Sequence, residues 1–349
     1  MSERRARNIV SRTAALAVRA AELSKCDLVT LMVGDSKLGE LQGIIGGHYA
    51  RLTGESEAVC AAIAEHYQPR GADDAPPPSM AGRLVSIADK IDNLAACFRL
   101  GLIPSGSADP FALRRQCQGV ISTLVASPPA PLPLGEGGTA HGLRVQLPEL
   151  LAFVVGQMPE PPAQNQDKAL APEAAVEALL KFFGQRLETA CEARGVEYDV
   201  IRAVLAVPVA EITDTLDRAV FLSATRKAGG DFDAVVTAAT RPANIVASTD
   251  APTKAVDPAL FEDDSEKALY EAYAVVSQGI ATALAGDVPD YGAAWQAVAS
   301  LAPAIDRLFV AVMVMAEDAA VRENRLALLR DVDGLFRRFA DLREIVQAG

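Results

Sequence analysis

The chain has 349 residues, half of them hydrophobic, with 33 Lys and Arg against 45 Asp and Glu, for a net charge of −12. That is enough apolar residue for more than one core. It excludes a diffuse basic surface of the histone type, although local basic stripes stay open. Mean hydropathy is +0.17, yet the longest apolar run, Leu308 to Ala316, is nine residues, far short of the roughly 20 that span a bilayer. Five widely spaced cysteines without a Cys-x-x-Cys motif point away from a disulfide scaffold or a zinc ribbon and toward a reducing cytoplasm.

In chain order, residues 12–33 read as a helix, with Leu16, Leu23, Val29 and Met32 near helical spacing. Gly43 to Gly47 is Gly-rich but lacks the Lys and Ser or Thr of a P-loop, so it reads as a helix interruption or a close helix contact. Helices are predicted over Glu55–Tyr67, Met80–Leu100 and Phe111–Ala126, the last with Asp109 as cap and Pro110 in the first turn. Residues 127–171 are rich in Pro and Gly and read as a linker holding one short apolar element, Leu150 to Val155. Helices resume at Pro172, and a second break spans Ala247 to Pro258. Leu301 to Val346 reads as helical, with one stripe through Ile305, Leu308, Phe309, Val312, Met313 and Ala316. A second runs through Leu328, Val332, Leu335, Phe336 and Phe339. The predicted fold is all-α: a helical domain over 1–126, the linker over 127–171, and a helical bundle over 172–349.

No Gly-x-Gly-x-x-Gly, P-loop or Gly-x-Ser-x-Gly is present. His48, His66, Asp89 and Asp92 invite comparison with helical metal-dependent phosphohydrolases, whose core is a His-Asp dipeptide. Here His48, His66 and His141 are followed by Tyr, Tyr and Gly. No metal site and no catalytic residue is therefore assigned. Asp89 and Asp92 share a helix face, which suits a metal or a neighbouring helix end equally. Trp295, the sole Trp, reads as core.

Several segments carry a family resemblance. Lys25-Cys26-Asp27-Leu28-Val29-Thr30, Glu40-Leu41-Gln42-Gly43, Glu65-His66-Tyr67-Gln68-Pro69-Arg70, Ala88-Asp89-Lys90-Ile91-Asp92 and the whole run from Gly101 to Arg115 resemble the β subunit of bacterial heterotetrameric glycyl-tRNA synthetase. Toward the C-terminus, Asp199 to Ala206, Ala239 to Ile245, Val312 to Asp318 and Arg322 to Leu329 resemble its α-helical DALR-type anticodon-binding domain, a type that also occurs in arginyl-tRNA synthetase. The resemblance implies an HD-like helical domain over 1–126 and an anticodon-binding domain over 172–349. Its departures are the longer, more polar Asp35–Gly39 segment, Thr240-Arg241 where the family has Lys-Arg, and an unmatched stretch over 139–161. The family's β subunits are about twice as long, so the sequence reads as a C-terminal fragment or a naturally split subunit.

The resemblance implies a cytoplasmic, tRNA-handling chain that positions tRNA-Gly for an α subunit, which binds ATP and glycine and performs catalysis. This chain would need no cofactor and no membrane. RNA affinity needs cations aimed at phosphates and groups that read exposed bases. The candidates are Arg114, Arg115, Arg241, Asn244, Arg322, Asn324 and Arg325. Arg322 and Arg325, at i and i+3, are predicted to project from the edge of an apolar stripe. Removing both is expected to weaken tRNA-Gly binding without unfolding the protein. The same arginines also suit a solvated face paired with Glu317, Asp318 and Glu323. Two other functions stay open: a metal-dependent phosphohydrolase and a structural scaffold.

Overall fold

The computed structural model describes residues 3–34, 39–71, 73–126, 143–249, 254–286 and 288–347. His141, the prolines at 128–133, most of the Asp35–Gly39 segment and the centre of the Ala247–Pro258 break lie outside them.

Helix α1 (Glu3–Leu23) ends ten residues before the predicted helix does. Lys25 adopts a left-handed conformation (φ 63°), and the chain continues as two short 3-10 turns, Cys26–Val29 and Leu31–Gly34. Gly43 (φ 79°) opens α2 (Ile44–Leu52), a backbone geometry that favours glycine. A methyl group at Gly47 would sit 2.7 Å from the Cys60 carbonyl oxygen. The Gly-rich stretch is thus a helix start and a close contact with α3 (Glu57–Glu65), which Ser56 caps. Helix α4 (Met80–Arg99) follows, capped by Ser79. It packs on α1, α3 and α5 (Leu113–Val125).

Helix α5 starts later than predicted. The Asp109 carboxylate does cap it, accepting from the amides of Leu113 (2.8 Å) and Arg114 (3.0 Å). Asp109-Pro110 form a turn ahead of the helix, because Ala112 takes a left-handed conformation at φ 53°. The short apolar element in the Pro-rich stretch is helix α6 (Leu147–Gln157), with Leu147, Leu151 and Val155 buried at i, i+4 and i+8.

Helix α7 (Pro172–Glu192) begins at the predicted proline. It is followed by α8 (Tyr198–Leu205), α9 (Ile212–Ala228) and α10 (Phe232–Ser248). The set closes with α11 (Asp264–Leu284), α12 (Tyr291–Ala299), α13 (Ala302–Ala311) and α14 (Ala319–Phe336). Among the described residues there are helices and isolated bridges but no strand, so the fold is all-α. The chain forms two compact units. One is Met1–Leu187 with Val209–Thr213, the other Glu188–Pro208 with Asp214–Gly349. The second unit thus opens at 188, within α7, where the sequence places a domain start at 172.

In the second unit, Trp295 lies in an aromatic cluster, stacked on Phe232 at 5.5 Å and edge-on to Phe339 at 5.4 Å. Leu328, Val332, Leu335, Phe336 and Phe339 are all buried, as their spacing predicts. The other stripe is interrupted. Helix α13 stops at Ala311, and residues 312–318 run as an irregular loop. Val310 and Met313 are 87% and 77% exposed. Two things end the helix there. Asp318 caps a new one, accepting from the amides of Ala320 (2.7 Å) and Val321 (3.1 Å), and two arginines of α14 take up the loop's free carbonyls.

Several arginines serve the fold in this way. Arg83 donates to the carbonyls of Pro77 and Ala126, both at 2.9 Å. Arg99 reaches the Leu170 carbonyl and Arg218 that of Phe339. All three are buried.

Candidate nucleic-acid interface

Helix α14 carries three of the candidate residues, and the structure uses them internally. Arg325 is only 6% exposed. Its guanidinium contacts Glu266 at 2.9 and 3.2 Å and Glu262 at 3.1 Å, and donates to the Met313 carbonyl at 3.0 Å. Glu266 is fully buried and closes a capping box with Asp263 at the start of α11. Burial opposes ionisation of Glu266. The Arg325 hydrogen bond and the amides of Glu262 and Asp263 outweigh it and hold the carboxyl below its usual range. Arg325 therefore does not project from the stripe's edge as the sequence suggests. It ties α11, α14 and the 312–318 loop together. Asn324, 1% exposed, clamps Asp257, accepting from its amide at 2.8 Å and donating to its carbonyl at 3.0 Å. Arg322 is half-buried and donates to the carbonyls of Ala316 (2.8 Å) and Glu317 (3.3 Å). The Asp263-x-x-Glu266 spacing is a capping-box signature. It could have marked Glu266 as a buried acid needing a cation.

Helix α10 presents the candidates differently. Arg241 and Asn244 lie one turn apart on it and are both exposed. Arg241 meets Asp306 at 2.9 Å, with both side chains at least half exposed. An exposed ion pair of this kind contributes about 1 kcal/mol or less, so the cation can be drawn onto a phosphate. Pro242 is tolerated within α10 and buried.

In the first unit, Arg114 is half-buried and donates to the carbonyls of Gly106 (2.8 Å) and Ala108 (3.5 Å), bracing the loop ahead of α5. Arg115, its neighbour, is exposed. It lines a cavity of about 290 Å³ together with Tyr67, Arg70, Asp89, Lys90, Asn93 and Gln116. Sequence inspection did not single out Lys90 or Arg70 as site residues. Lys90 is buried and donates to Gln68 O and Ser86 Oγ, both at 2.8 Å. Burial lowers its pKa to about 8, against the pull of Asp89. Arg70 lies 5.6 Å over the Tyr67 ring and donates to the carbonyls of Glu40 (2.9 Å) and Gln42 (2.7 Å).

The residues that invited a metal reading are dispersed. Asp89 pairs with Lys25 and Asp92 is exposed. His48 is exposed, with Nδ1 3.3 Å from Arg51 Nη1. His66 is buried and its Nδ1–H donates to the Ile63 carbonyl at 2.6 Å, while Nε2 has no partner among the described residues. Among the described residues, no three or more of His, Cys, Asp and Glu come together as a metal site. No described helix is long and apolar enough to cross a membrane.

Two family models match the chain. Residues 2–206 match the family model of the glycyl-tRNA synthetase beta subunit. Residues 235–345, from within α10 to beyond α14, match that of the DALR anticodon binding domain. The chain is 37% identical over 339 residues to the glycine–tRNA ligase beta subunit of Halalkalibacterium halodurans, covering 97% of this chain and 45% of the relative. It is 39% identical over 348 residues to that of Magnetococcus marinus, covering 98% and 46%. It is 42% identical over 332 residues to that of Desulforudis audaxviator, covering 94% and 44%. The chain thus spans a little under half the length of these relatives. With a family model matched over more than half of its residues and relatives aligned along nearly all of it, the chain belongs to the glycyl-tRNA synthetase beta subunit family.

Proposed function

We propose that this chain is a tRNA-binding part of a glycine–tRNA ligase. It would hold tRNA-Gly in the cytoplasm for aminoacylation by an α subunit that binds ATP and glycine. The observation that carries the reading is the DALR anticodon binding match over 235–345. That stretch includes α10, where Arg241 and Asn244 stand exposed on one face. An exposed Arg with a weakly held partner and an unburied amide are groups that bind a phosphate and read a base edge. In this reading residues 1–126 form an HD-like domain, 127–171 connect, and 172–349 form the anticodon-binding domain. The phosphohydrolase alternative lacks a gathered set of metal donors among the described residues.

The test is a gel-shift titration with tRNA-Gly and a mismatched tRNA, with and without the α subunit, over a salt series. Preferential, salt-sensitive binding of tRNA-Gly is expected. Equal binding of the two tRNAs, insensitive to salt, would refute the proposal.

A further inference from the structure

The cavity beside Arg115 has features that neither bracing of the fold nor general RNA affinity accounts for. Three cations, Arg70, Lys90 and Arg115, line it against one carboxylate, Asp89. Asp89 is already paired with Lys25, which stands outside the lining. A cationic hollow in a chain of net charge −12 calls for an anion. Two of the cations are fixed in advance, Arg70 by two backbone carbonyls and the Tyr67 ring, Lys90 by Gln68 and Ser86. Arg115 makes no hydrogen bond or ion pair among the described residues and is the one left to move onto a ligand.

A bare phosphate does not satisfy the site. Gln116 donates through Nε2 to the Phe111 carbonyl at 3.0 Å, and its Oε1 is buried without a donor among the described residues. An orphaned acceptor repels an anion and asks for an N–H. Asn93 lines the same wall with an amide that makes no hydrogen bond among the described residues. A ligand matching both demands carries a negative group at one end and a flat edge with N–H donors at the other. The volume of about 290 Å³ lies at the lower end of small-molecule sites. It admits one nucleotide and no base pair.

We propose that this cavity binds a single unstacked nucleotide, with its phosphate on Arg115 in the field of Arg70 and Lys90 and its base edge on Gln116 Oε1 and the Asn93 amide. The proposal rests on the RNA-binding reading only for the source of the nucleotide. A free nucleoside 5′-phosphate and a single-stranded RNA nucleotide offer the same chemistry.

The full chain is titrated calorimetrically with AMP, CMP, inorganic phosphate and a short single-stranded oligoribonucleotide. The Arg115→Glu and Asn93→Leu variants are titrated alongside, with melting temperatures confirming that they fold. The nucleotides are expected to bind more than about tenfold tighter than phosphate. Arg115→Glu and Asn93→Leu should each weaken them by a similar factor, the second because an isosteric apolar side chain removes the amide that meets the base edge. Competition between the oligonucleotide and AMP identifies RNA as the source, and AMP binding without competition identifies a free nucleotide. Phosphate binding as tightly as AMP, no nucleotide or oligonucleotide binding at all, or unchanged binding by both folded variants would each overturn the proposal. A tRNA-Gly shift that survives in Asn93→Leu while the wild type binds no nucleotide would sink the cavity reading and leave the RNA-binding reading standing. Nucleotide binding without any tRNA-Gly shift would do the reverse.

Discussion

Replacing Arg325 by Ala separates a structural role from an RNA-contacting one. The substitution removes four contacts within 3.2 Å, two of them to Glu266 and one to the Met313 carbonyl. Glu266 keeps the amides of Glu262 (2.9 Å) and Asp263 (3.0 Å) on Oε2, but its Oε1 is left buried and unpaired. Breaking a buried ion pair from one side costs about 3–5 kcal/mol, and the retained amide bonds place this case near the lower figure. At about 2–4 °C per kcal/mol for a domain of this size, the melting temperature should fall by roughly 6–12 °C. Arg325→Met combined with Glu266→Gln should recover part of the loss, because the glutamine still accepts the two amides and carries no stranded charge. The pH dependence follows from the direction of the Glu266 shift. A carboxyl held below its unfolded value of about 4.3 contributes stability above that pH and loses it as pH falls through the folded value. Arg325→Ala should flatten this acid limb. Differential scanning calorimetry from pH 3 to 8, with tRNA-Gly affinity measured below both melting temperatures, is the assay. A variant that melts within about 2 °C of wild type and shows a shallower salt slope would mean that the guanidinium faces RNA and that this account of α14 is wrong.

Replacing both Arg241 and Asn244 with Ala should leave the melting temperature unchanged within about 1 °C, since both are exposed. It should lower the salt slope of tRNA-Gly binding by roughly 0.7–0.9 for the one lost phosphate contact; an unchanged affinity and slope would remove α10 from the interface. His66 is held below its usual pKa, chiefly by burial and against the Ile63 carbonyl that favours its proton. Stability should therefore decline as pH drops below about 6.5, where only the unfolded form gains the proton. His66→Gln should remove that decline in chemical denaturation at pH 5 and 8, and a persisting decline would assign it elsewhere. Gly47→Ala would place a methyl group 2.7 Å from the Cys60 carbonyl oxygen. It should cost about 1–3 kcal/mol as α2 and α3 separate, read as faster amide exchange in both helices; unchanged exchange would show that the contact is slack.

Much of the fold is legible in the sequence because burial imposes a period. Leu328 through Phe336 announces the core face of α14 and Pro172 the start of α7, whereas the apolar element at Leu150, read as part of a linker, is a helix, α6. What the sequence conceals is decided by contacts between distant residues. Leu308 to Ala316 is unbroken apolar chain, and nothing local ends a helix at Ala311. The break is stabilised by Asp318 and by guanidinium groups from the following helix. Asp109 caps α5 from four residues upstream, because Ala112 leaves the helical region in a way its side chain does not signal. The site is less legible for the same reason. Arg322, Asn324 and Arg325 have the composition of an RNA-facing patch, and only the positions of Ala316, Asp257 and Glu266 occupy them internally. Arg115 and Arg114 are adjacent and chemically identical, yet one braces a loop and the other faces a cavity.

The buried arginines also bear on how fast a polyanion can reach this protein. Arg83, Arg99, Arg218 and Arg325 spend their guanidinium groups on carbonyls and carboxylates inside the fold. Their charge reaches the surface only through low-dielectric protein and alongside internal partners. Among the described residues five carboxylates, Asp27, Glu211, Glu266, Asp333 and Asp341, are buried as well, so burial leaves the net charge of −12 uncompensated outside the core. The far field that an approaching RNA meets is thus repulsive, and long-range steering works against encounter. Added monovalent salt should first speed association by screening that repulsion over a Debye length of about 10 Å at 0.1 M, even as it weakens the complex once formed. Association and dissociation rates would then both rise with ionic strength at first, a kinetic signature of a net-acidic chain that binds through a few exposed cations.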